Sequence, residues 1–359
     1  MSAESLPSET LAALSPDAVA GFAAADGRQA GPLIDVRSPA EYAQGHIPGA
    51  LNVPLFDDDE RAQVGTLYKQ QGRQTAVLQG LAAVGPRLEA LASQLLGLAG
   101  GSGAPVRLYC WRGGMRSASV AWLADTVGLR SRLLPGGYKA FRRWALDLFT
   151  RPLPLLLLGG RTGSGKTDVL LALQACGGAV VDLEGLAHHR GSSFGGLGLP
   201  PQPSSEHYEN RLALTLHRQR GLAPIWLEAE SAQVGRCRIP APLWQQMQQA
   251  PVVELQRSTR ARVQRLVAVY GHQGANALQE ATLRISKRLG PQRTQQAMAA
   301  IAAGDMATAC EAMLDYYDRC YDHELQSRRS EPLLQLMGDT QEDGELAATL
   351  LRWQQSRTW

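Results

Sequence analysis

The stretch that most limits what this chain can fold into is Leu156–Thr167, LLLGGRTGSGKT. An apolar run passes directly into Gly160, four intervening residues, Gly165, Lys166 and Thr167. That is the G-x-x-x-x-G-K-[ST] spacing of a strand feeding a phosphate-binding loop. Glycines let successive backbone N–H groups turn inward, the following helix adds its positive end, and Lys166 adds a point charge. Gly160, Gly163, Ser164 and Gly165 form the cradle, and Thr167 stands where a magnesium ion would be held. A chance glycine-rich turn would lack the strand LPLLLLGG and the helix TDVLLALQAC that flank this loop. The loop calls for a phosphorylated ligand without specifying ATP hydrolysis.

At 359 residues the chain has room for two domains, each with its own core. A hydrophobic content of 44% and a charged content of 19% describe an ordinary soluble composition. The five cysteines, at 110, 176, 237, 310 and 320, follow neither a disulfide framework nor a zinc spacing, so a reducing, cytoplasmic compartment is expected. The opening residues, MSAESLPSETLAAL, lack the basic start of a signal peptide, and no apolar run reaches the length of a membrane span.

Upstream of the loop, Leu11–Ala25 reads as a short helix and GPLIDVRSP as a buried strand. Arg37 and Glu41 are close enough to pair if the chain between them curls. His46 lies in a turn as a hydrogen-bonding residue, and Asp57–Glu60 reads as a solvated acidic turn. Residues 61–100 are helical in patches. VRLYC then forms a second strand that delivers Cys110 to its end, before Trp111, Arg112, Gly113, Gly114, Met115, Arg116 and a helix. A cysteine at a strand end, facing the N-terminus of the next helix, sits where a thiolate is favoured. Arg112 and Arg116 add positive charge for an anionic substrate. Trp111 fits a lid, a stacking surface or the core.

Downstream, AVVDLEG is a strand carrying Asp182 and Glu184 at its C-terminal end, the side where open parallel sheets bind ligands. Asp182 suits either magnesium or substrate orientation, or a helix cap. LAHHRGSSFGGLGLPPQPSS is too rich in glycine and serine for a regular element, and His188, Arg190 and Ser192 could meet phosphate there. IWLEAES ends in Glu228, Glu230 and Ser231; either carboxylate could hold magnesium, and Glu228 is assigned to the site. Its QVGRCRIP continuation reads as a turn, and VVEL as a further strand. Between residues 251 and 295, eight Lys or Arg face two acids, whereas residues 296–359 carry eleven acids and five bases. The basic segment suits an RNA backbone, with Arg257, Arg260, Arg262 and Arg265 as the contacts. Its Val263, Leu266, Val267 and Tyr270 can form a buried stripe. The acidic tail reads as helical packing and surface.

The residues also carry a resemblance. LIDVRSPAEYAQGHIPGALNVP resembles the opening signature of rhodanese-like domains, and CWRGGMRS resembles their active-site loop, in which a cysteine carries sulfur. GGYKAFRRW resembles the end of the same domain. CWRGGMRS, GGRTGSGKT, DLEGLAHHRGSSFG, WLEAES and RSTRARVQRL in this order resemble the bacterial tRNA 2-selenouridine synthase family across nearly the whole chain. The resemblance implies an α/β protein: a rhodanese-like domain over 1–150, then a P-loop NTPase-like parallel-sheet domain over 151–359 with a helical C-terminal region and a basic segment at 257–295. It implies replacement of the sulfur of wobble 2-thiouridine in tRNA by selenium from selenophosphate, through S-geranylation by geranyl diphosphate. Cys110 and Lys166 would be the catalytic residues. No tightly bound cofactor is expected, and an enzyme that supplies selenophosphate is a candidate partner. A sulfurtransferase coupled to a nucleotide-dependent kinase or ATPase is the alternative, and a non-catalytic RNA-binding module a further one.

Overall fold

The computed structural model describes residues 15–25, 27, 29–327 and 331–359. The reading of the first fourteen residues, including the start of the Leu11–Ala25 helix, lies outside them; the described helix is Pro16–Ala24, capped by Ser15. The chain divides into two compact units, Met1–Leu148 and Phe149–Trp359.

The first unit is built on four parallel strands, β1 (Leu33–Asp35), β2 (Leu51–Asn52), β3 (Pro105–Tyr109) and β4 (Arg130–Leu133). They lie in the order β2-β1-β3-β4, with Ile34 opposite Leu108 and Asp35 opposite Tyr109. Helices cover the sheet, so Ile34, Val106 and Leu108 are fully buried in its core, as parallel strands require. The acidic run at 57–60 is a helix start rather than a turn. Asp57 accepts from the Glu60 N–H and Glu60 accepts from that of Asp57, a capping box opening Asp58–Gln70. Strand β4 escapes the sequence because RSRL shows no apolar run; its pairing along β3 makes it a strand.

Arg37 pairs with Asp35, not with Glu41. Its guanidinium meets the Asp35 carboxylate at 2.6 Å, donates to the Gly45 carbonyl at 2.6 Å and stacks 3.9 Å over the Tyr138 ring. Both charged groups are fully buried. Glu41 instead takes Arg116 at 2.6 Å and Arg61 at 3.5 Å. The expected hydrogen-bonding role of His46 is met by Nδ1 facing the Tyr42 carbonyl at 2.9 Å, with the two rings stacked.

The second unit holds β5 (Leu155–Gly159), β6 (Val180–Val181), β7 (Ile225–Glu228), a small antiparallel hairpin of β8 (Gln233–Val234) and β9 (Cys237–Arg238), then β10 (Val252–Gln256) and β11 (Leu334–Met337). The hairpin replaces the expected turn in QVGRCRIP. The parallel sheet runs β11-β10-β5-β7-β6, which puts β5 at the centre and the phosphate loop at its C-terminal end. Strand β11 corrects the reading of the tail as helix and surface: Leu334 and Leu336 face in while Gln335 and Met337 face out, along β10. Helix Asp343–Gln355 then packs on the sheet, and Gln354 accepts the Trp226 indole N–H at 2.7 Å. The basic segment is not one element. It comprises helices Thr259–Tyr270 and Ala275–Leu289 and the start of Pro291–Ala303, with Arg257 ahead of the Ser258 cap.

Removing one partner of a buried ion pair leaves the other charge uncompensated. Arg37→Ala should therefore destabilise the full chain by about 3–5 kcal/mol. Arg61→Ala, which removes a more exposed contact with Glu41, should stay within about 1 kcal/mol. Urea unfolding followed by circular dichroism measures both; equal midpoints for the two variants would refute the structural role of the Arg37–Asp35 pair.

Candidate functional sites: the cysteine loop and the phosphate loop

In the first unit, β3 ends at Tyr109 and Cys110 follows, almost fully buried. The loop is clasped by helix Gly137–Leu148, whose first N–H groups donate to it: Tyr138 to the Cys110 carbonyl at 2.8 Å and Lys139 to the Trp111 carbonyl at 2.9 Å. A Cβ on Gly137 would lie 2.3 Å from the Cys110 carbonyl oxygen, so this glycine permits the close backbone approach. Helix Met115–Thr126 returns Ser117 to the sulfur, where its hydroxyl donates to Cys110 Sγ at 3.2 Å. Burial pushes the thiol up. Hydrogen bonds from the Ser117 side chain and backbone and from the Arg112 backbone, with the charge of Arg116, outweigh burial, so the net shift is downward. Arg112 is exposed, but the Arg116 guanidinium is already bound to Glu41 and acts on the sulfur through its field. Trp111 is partly exposed and leans on Tyr138, with ring centroids 5.8 Å apart.

In the second unit, the loop turns on Gly160, Gly163 and Gly165, all with left-handed φ, before helix Lys166–Ala175 begins. Lys166 Nζ donates to the Gly160 carbonyl at 3.0 Å, bridging the loop's two ends. A pocket of about 550 Å³ opens over it. Gly160, Gly163, Gly165, Lys166 and Thr167 line this pocket. Asp182 joins them from the end of β6, and His188, Arg190 and Ser192 from the Gly/Ser-rich segment. Ser164 is buried inside the loop instead.

Several of these groups have structural partners. Asp182 is a cap: its carboxylate accepts from the Gly185 N–H at 2.7 Å and starts the helix Leu183–Ala187. His188 closes that helix in the left-handed region, with its ring nitrogens 3.0 Å from the Pro201 carbonyl and 3.0 Å from Arg211. Arg190 donates to the Leu197 carbonyl at 3.0 Å, and the Ser192 hydroxyl accepts from the Phe194 N–H.

Glu228 does not reach the pocket. It is fully buried, and one oxygen accepts from the Leu183 N–H at 3.0 Å. Burial first, then the charges of Asp182 and Glu184, hold its carboxyl well above the usual range, and it serves as a core strut. Glu184 and Glu230 line the pocket instead, with Asp168 and Asp182. A Cβ on Gly191 would meet a Glu230 oxygen at 2.7 Å and a Glu184 oxygen at 3.0 Å, which places both carboxyls against one spot. Thr167 donates to Glu184 at 3.1 Å. Burial and the Glu230 charge push Glu184 up to about 8, against the pull of Lys166. The available signal lies in the two apolar strand ends: in VVDLE both acids line the pocket, and in WLEAE only the second, Glu230, does.

The arginine assignment changes most. Arg262 is buried; its Nε donates to the Thr162 carbonyl at 2.9 Å, and its outer nitrogens grip Asp318 at 2.5 and 3.0 Å. Arg257 pairs with Asp343 at 2.8 Å. Arg265 pairs with Asp343 at 2.7 Å and Asp168 at 2.5 Å while lining the phosphate pocket. These three face their own chain because acids of the tail neutralise them. Of the four, only Arg260 is exposed.

Two outcomes follow. Site-resolved alkylation should titrate Cys110 below Cys310, whose thiol burial holds at about 11, and Ser117→Ala should move the Cys110 profile upward. An unmoved profile would remove Ser117 from the thiolate's support. Glu184 keeps in the fold a proton that the unfolded chain releases near 4.5, so stability falls as pH rises from about 4.5 through about 8. Glu184→Gln should flatten that fall in thermal melts; an equally steep fall would assign it to another group.

Comparison with known proteins agrees with this division. A model of the rhodanese-like domain matches residues 19–143, and a model described as the tRNA 2-selenouridine synthase AAA domain matches residues 153–351. The chain is 40% identical over 331 residues to the tRNA 2-selenouridine synthase of Pseudomonas fluorescens, covering 83% of this chain and 89% of that protein. It is 38% identical to that of Azotobacter vinelandii (83% and 88% covered) and 36% identical to that of Bordetella bronchiseptica (87% and 92%). With a cysteine loop on a rhodanese-like sheet and a phosphate loop on a second parallel sheet, in one chain similar to these proteins over most of its length, this protein belongs to the tRNA 2-selenouridine synthase family.

Proposed function

We propose that this protein replaces the sulfur of wobble 2-thiouridine in tRNA by selenium, in two steps. The first is S-geranylation at the phosphate loop; the second is exchange assisted by Cys110. The observation that carries this reading is the phosphate pocket, whose glycines and Lys166 address charged oxygens.

In the first step, the sulfur of 2-thiouridine attacks C1 of geranyl diphosphate. A C–S bond forms, the C–O bond to the diphosphate breaks, and its electron pair leaves on the diphosphate; the uridine N3 proton is lost. Loop N–H groups and Lys166 stabilise the departing charge. The donor set also fits magnesium. Thr167, Glu184 and Glu230 offer hard oxygen ligands beside the loop, where Thr167 already meets Glu184 at 3.1 Å. Among the described residues no group of three or more His, Cys, Asp or Glu could hold a metal unaided, so ligand oxygens would complete the shell. When bound, such an ion supplies further positive charge to the diphosphate.

Geranylation converts a poor leaving group into a thioether. The Cys110 thiolate adds at C2 of the geranylated uridine and expels geranylthiolate with the C–S electron pair. Selenium of selenophosphate then adds at C2 and expels the Cys110 thiolate, and water cleaves the P–Se bond to leave phosphate and 2-selenouridine. Lowering the pKa of Cys110 serves both its attack and its departure. Arg112, exposed beside the cysteine, suits the anionic selenophosphate. For tRNA, the exposed Arg260 together with Lys287 and Arg288 on helix Ala275–Leu289 are the contacts that support backbone binding.

Two variants separate the steps. Lys166→Ala should slow geranylation by about 10²-fold or more, and with it selenation from 2-thiouridine tRNA, while pre-geranylated tRNA is selenated almost normally. Cys110→Ala should show the reverse, geranylating the tRNA but leaving it unselenated. Mass analysis of tRNA nucleosides reads both. Equal loss by Lys166→Ala from both starting tRNAs would overturn the dedicated role of the loop, and ATP turnover without tRNA would favour a nucleotide-coupled sulfurtransferase.

A further inference from the structure

A second cavity adjoins the phosphate pocket and has the opposite chemistry. The two share Thr162, Ser192, Leu266, Tyr270 and Tyr317 in their walls. Beyond that shared mouth the cavity runs between helices Thr259–Tyr270, Ala275–Leu289, Pro291–Ala303 and Met306–Ser327, where Leu278, Ile301, Ala309 and Met313 are buried around it. Its walls are almost entirely carbon. The mouth is held to the phosphate loop covalently through Thr162, and through Arg262, which binds the Thr162 carbonyl from helix Thr259–Tyr270.

A pocket with inward N–H groups and a lysine, continuous with a slot of aliphatic and thioether side chains, matches a ligand with a polyphosphate head and a hydrocarbon tail. A nucleoside does not fit this slot, because its ring nitrogens and ribose hydroxyls would be buried without partners. A prenyl chain has no polar atoms to strand, and each methylene buried strengthens binding about fourfold. The free volume is about 50 Å³, less than a geranyl chain occupies. Met306 and Met313, unbranched and adaptable, are the side chains that can turn aside to admit the rest.

We propose that this cavity is the prenyl-chain site of the phosphate pocket, and that Ala309 and Met313 set the length of chain it accepts. The inference rests on the reading that the loop binds a prenyl diphosphate, and it goes further by naming where the chain lies and which residues measure it. Along helix Met306–Ser327, Tyr317 stands at the shared mouth, Met313 one turn further in and Ala309 two turns in, so a larger side chain at Ala309 shortens the slot and a smaller one at Met313 widens it.

The test uses the full-length enzyme with dimethylallyl, geranyl and farnesyl diphosphates, and inorganic pyrophosphate as the head-group control. Ala309→Phe should lose at least tenfold in kcat/KM for geranyl transfer to 2-thiouridine tRNA while keeping dimethylallyl transfer and pyrophosphate affinity. Met313→Ala changes the cavity in the opposite sense and should gain farnesyl transfer. By calorimetry, wild type should bind geranyl diphosphate more tightly than pyrophosphate, and Ala309→Phe should erase the difference. Variants that still bind pyrophosphate normally but show unchanged preference among the three donors would overturn the proposal. So would equal wild-type affinity for geranyl diphosphate and pyrophosphate. A wild-type enzyme that transfers no prenyl group yet keeps the tail-dependent gain in affinity would refute the geranylation step and leave the cavity assignment standing.

Discussion

The second unit is organised around one buried guanidinium. Arg262 reaches from helix Thr259–Tyr270 to the Thr162 carbonyl in the phosphate loop and to the Asp318 carboxylate on helix Met306–Ser327. Desolvating an arginine is expensive unless every donor direction is answered, and here a bidentate carboxylate and a carbonyl answer it. Three segments distant in sequence are thereby fixed about one point. Leu266 and Tyr270, one and two turns along the same helix, then face the phosphate pocket and the apolar cavity together. Arg265, on the adjacent turn, adds charge over the start of the loop helix, where a Cβ on Gly165 would come within 2.6 Å of its guanidinium.

The two sites treat charge differently. Around the phosphate loop, positive charge is matched against carboxyl groups pressed together: Glu184 and Glu230 lie near Lys166, and burial, reinforced by the Glu230 charge, keeps a proton on Glu184 up to about 8. An anionic ligand, with or without a cation, would redistribute that balance, so the site is electrostatically unfinished by construction. At Cys110 the opposing contributions leave a net shift towards the thiolate. Burial disfavours the thiolate, while one hydroxyl, two backbone N–H groups and a distant guanidinium favour it. The fully buried charges of that unit, Asp35 and Arg37, serve the scaffold by anchoring β1 to the Gly45 carbonyl and the Tyr138 ring.

What could be read in the chain itself was local. The phosphate loop, its strand and its helix are contiguous, so spacing and apolar runs sufficed to locate them, and the same holds for Cys110 between β3 and its helix. The alternation of apolar strands with helices carried the α/β class, and the order of motifs carried the family. Strands β4 and β11 were not legible, because RSRL and LQLM become strands only by pairing along β3 and β10.

Side-chain roles at long range were beyond the sequence for the same reason. A cluster of arginines reads as a basic surface until their partners are known. Arg257, Arg262 and Arg265 meet Asp343, Asp318 and Asp168, between 56 and 97 positions away, and only the folded chain brings these together. Likewise Glu228 and Glu230 differ by two positions on one strand end, yet the first is sealed against the Leu183 N–H and the second opens on the pocket. The sequence determined which chemical groups the protein carries and the loops that present them. The tertiary structure decided which charges are neutralised internally and which are left to meet a ligand, since burial and pairing depend on segments that sequence distance does not relate.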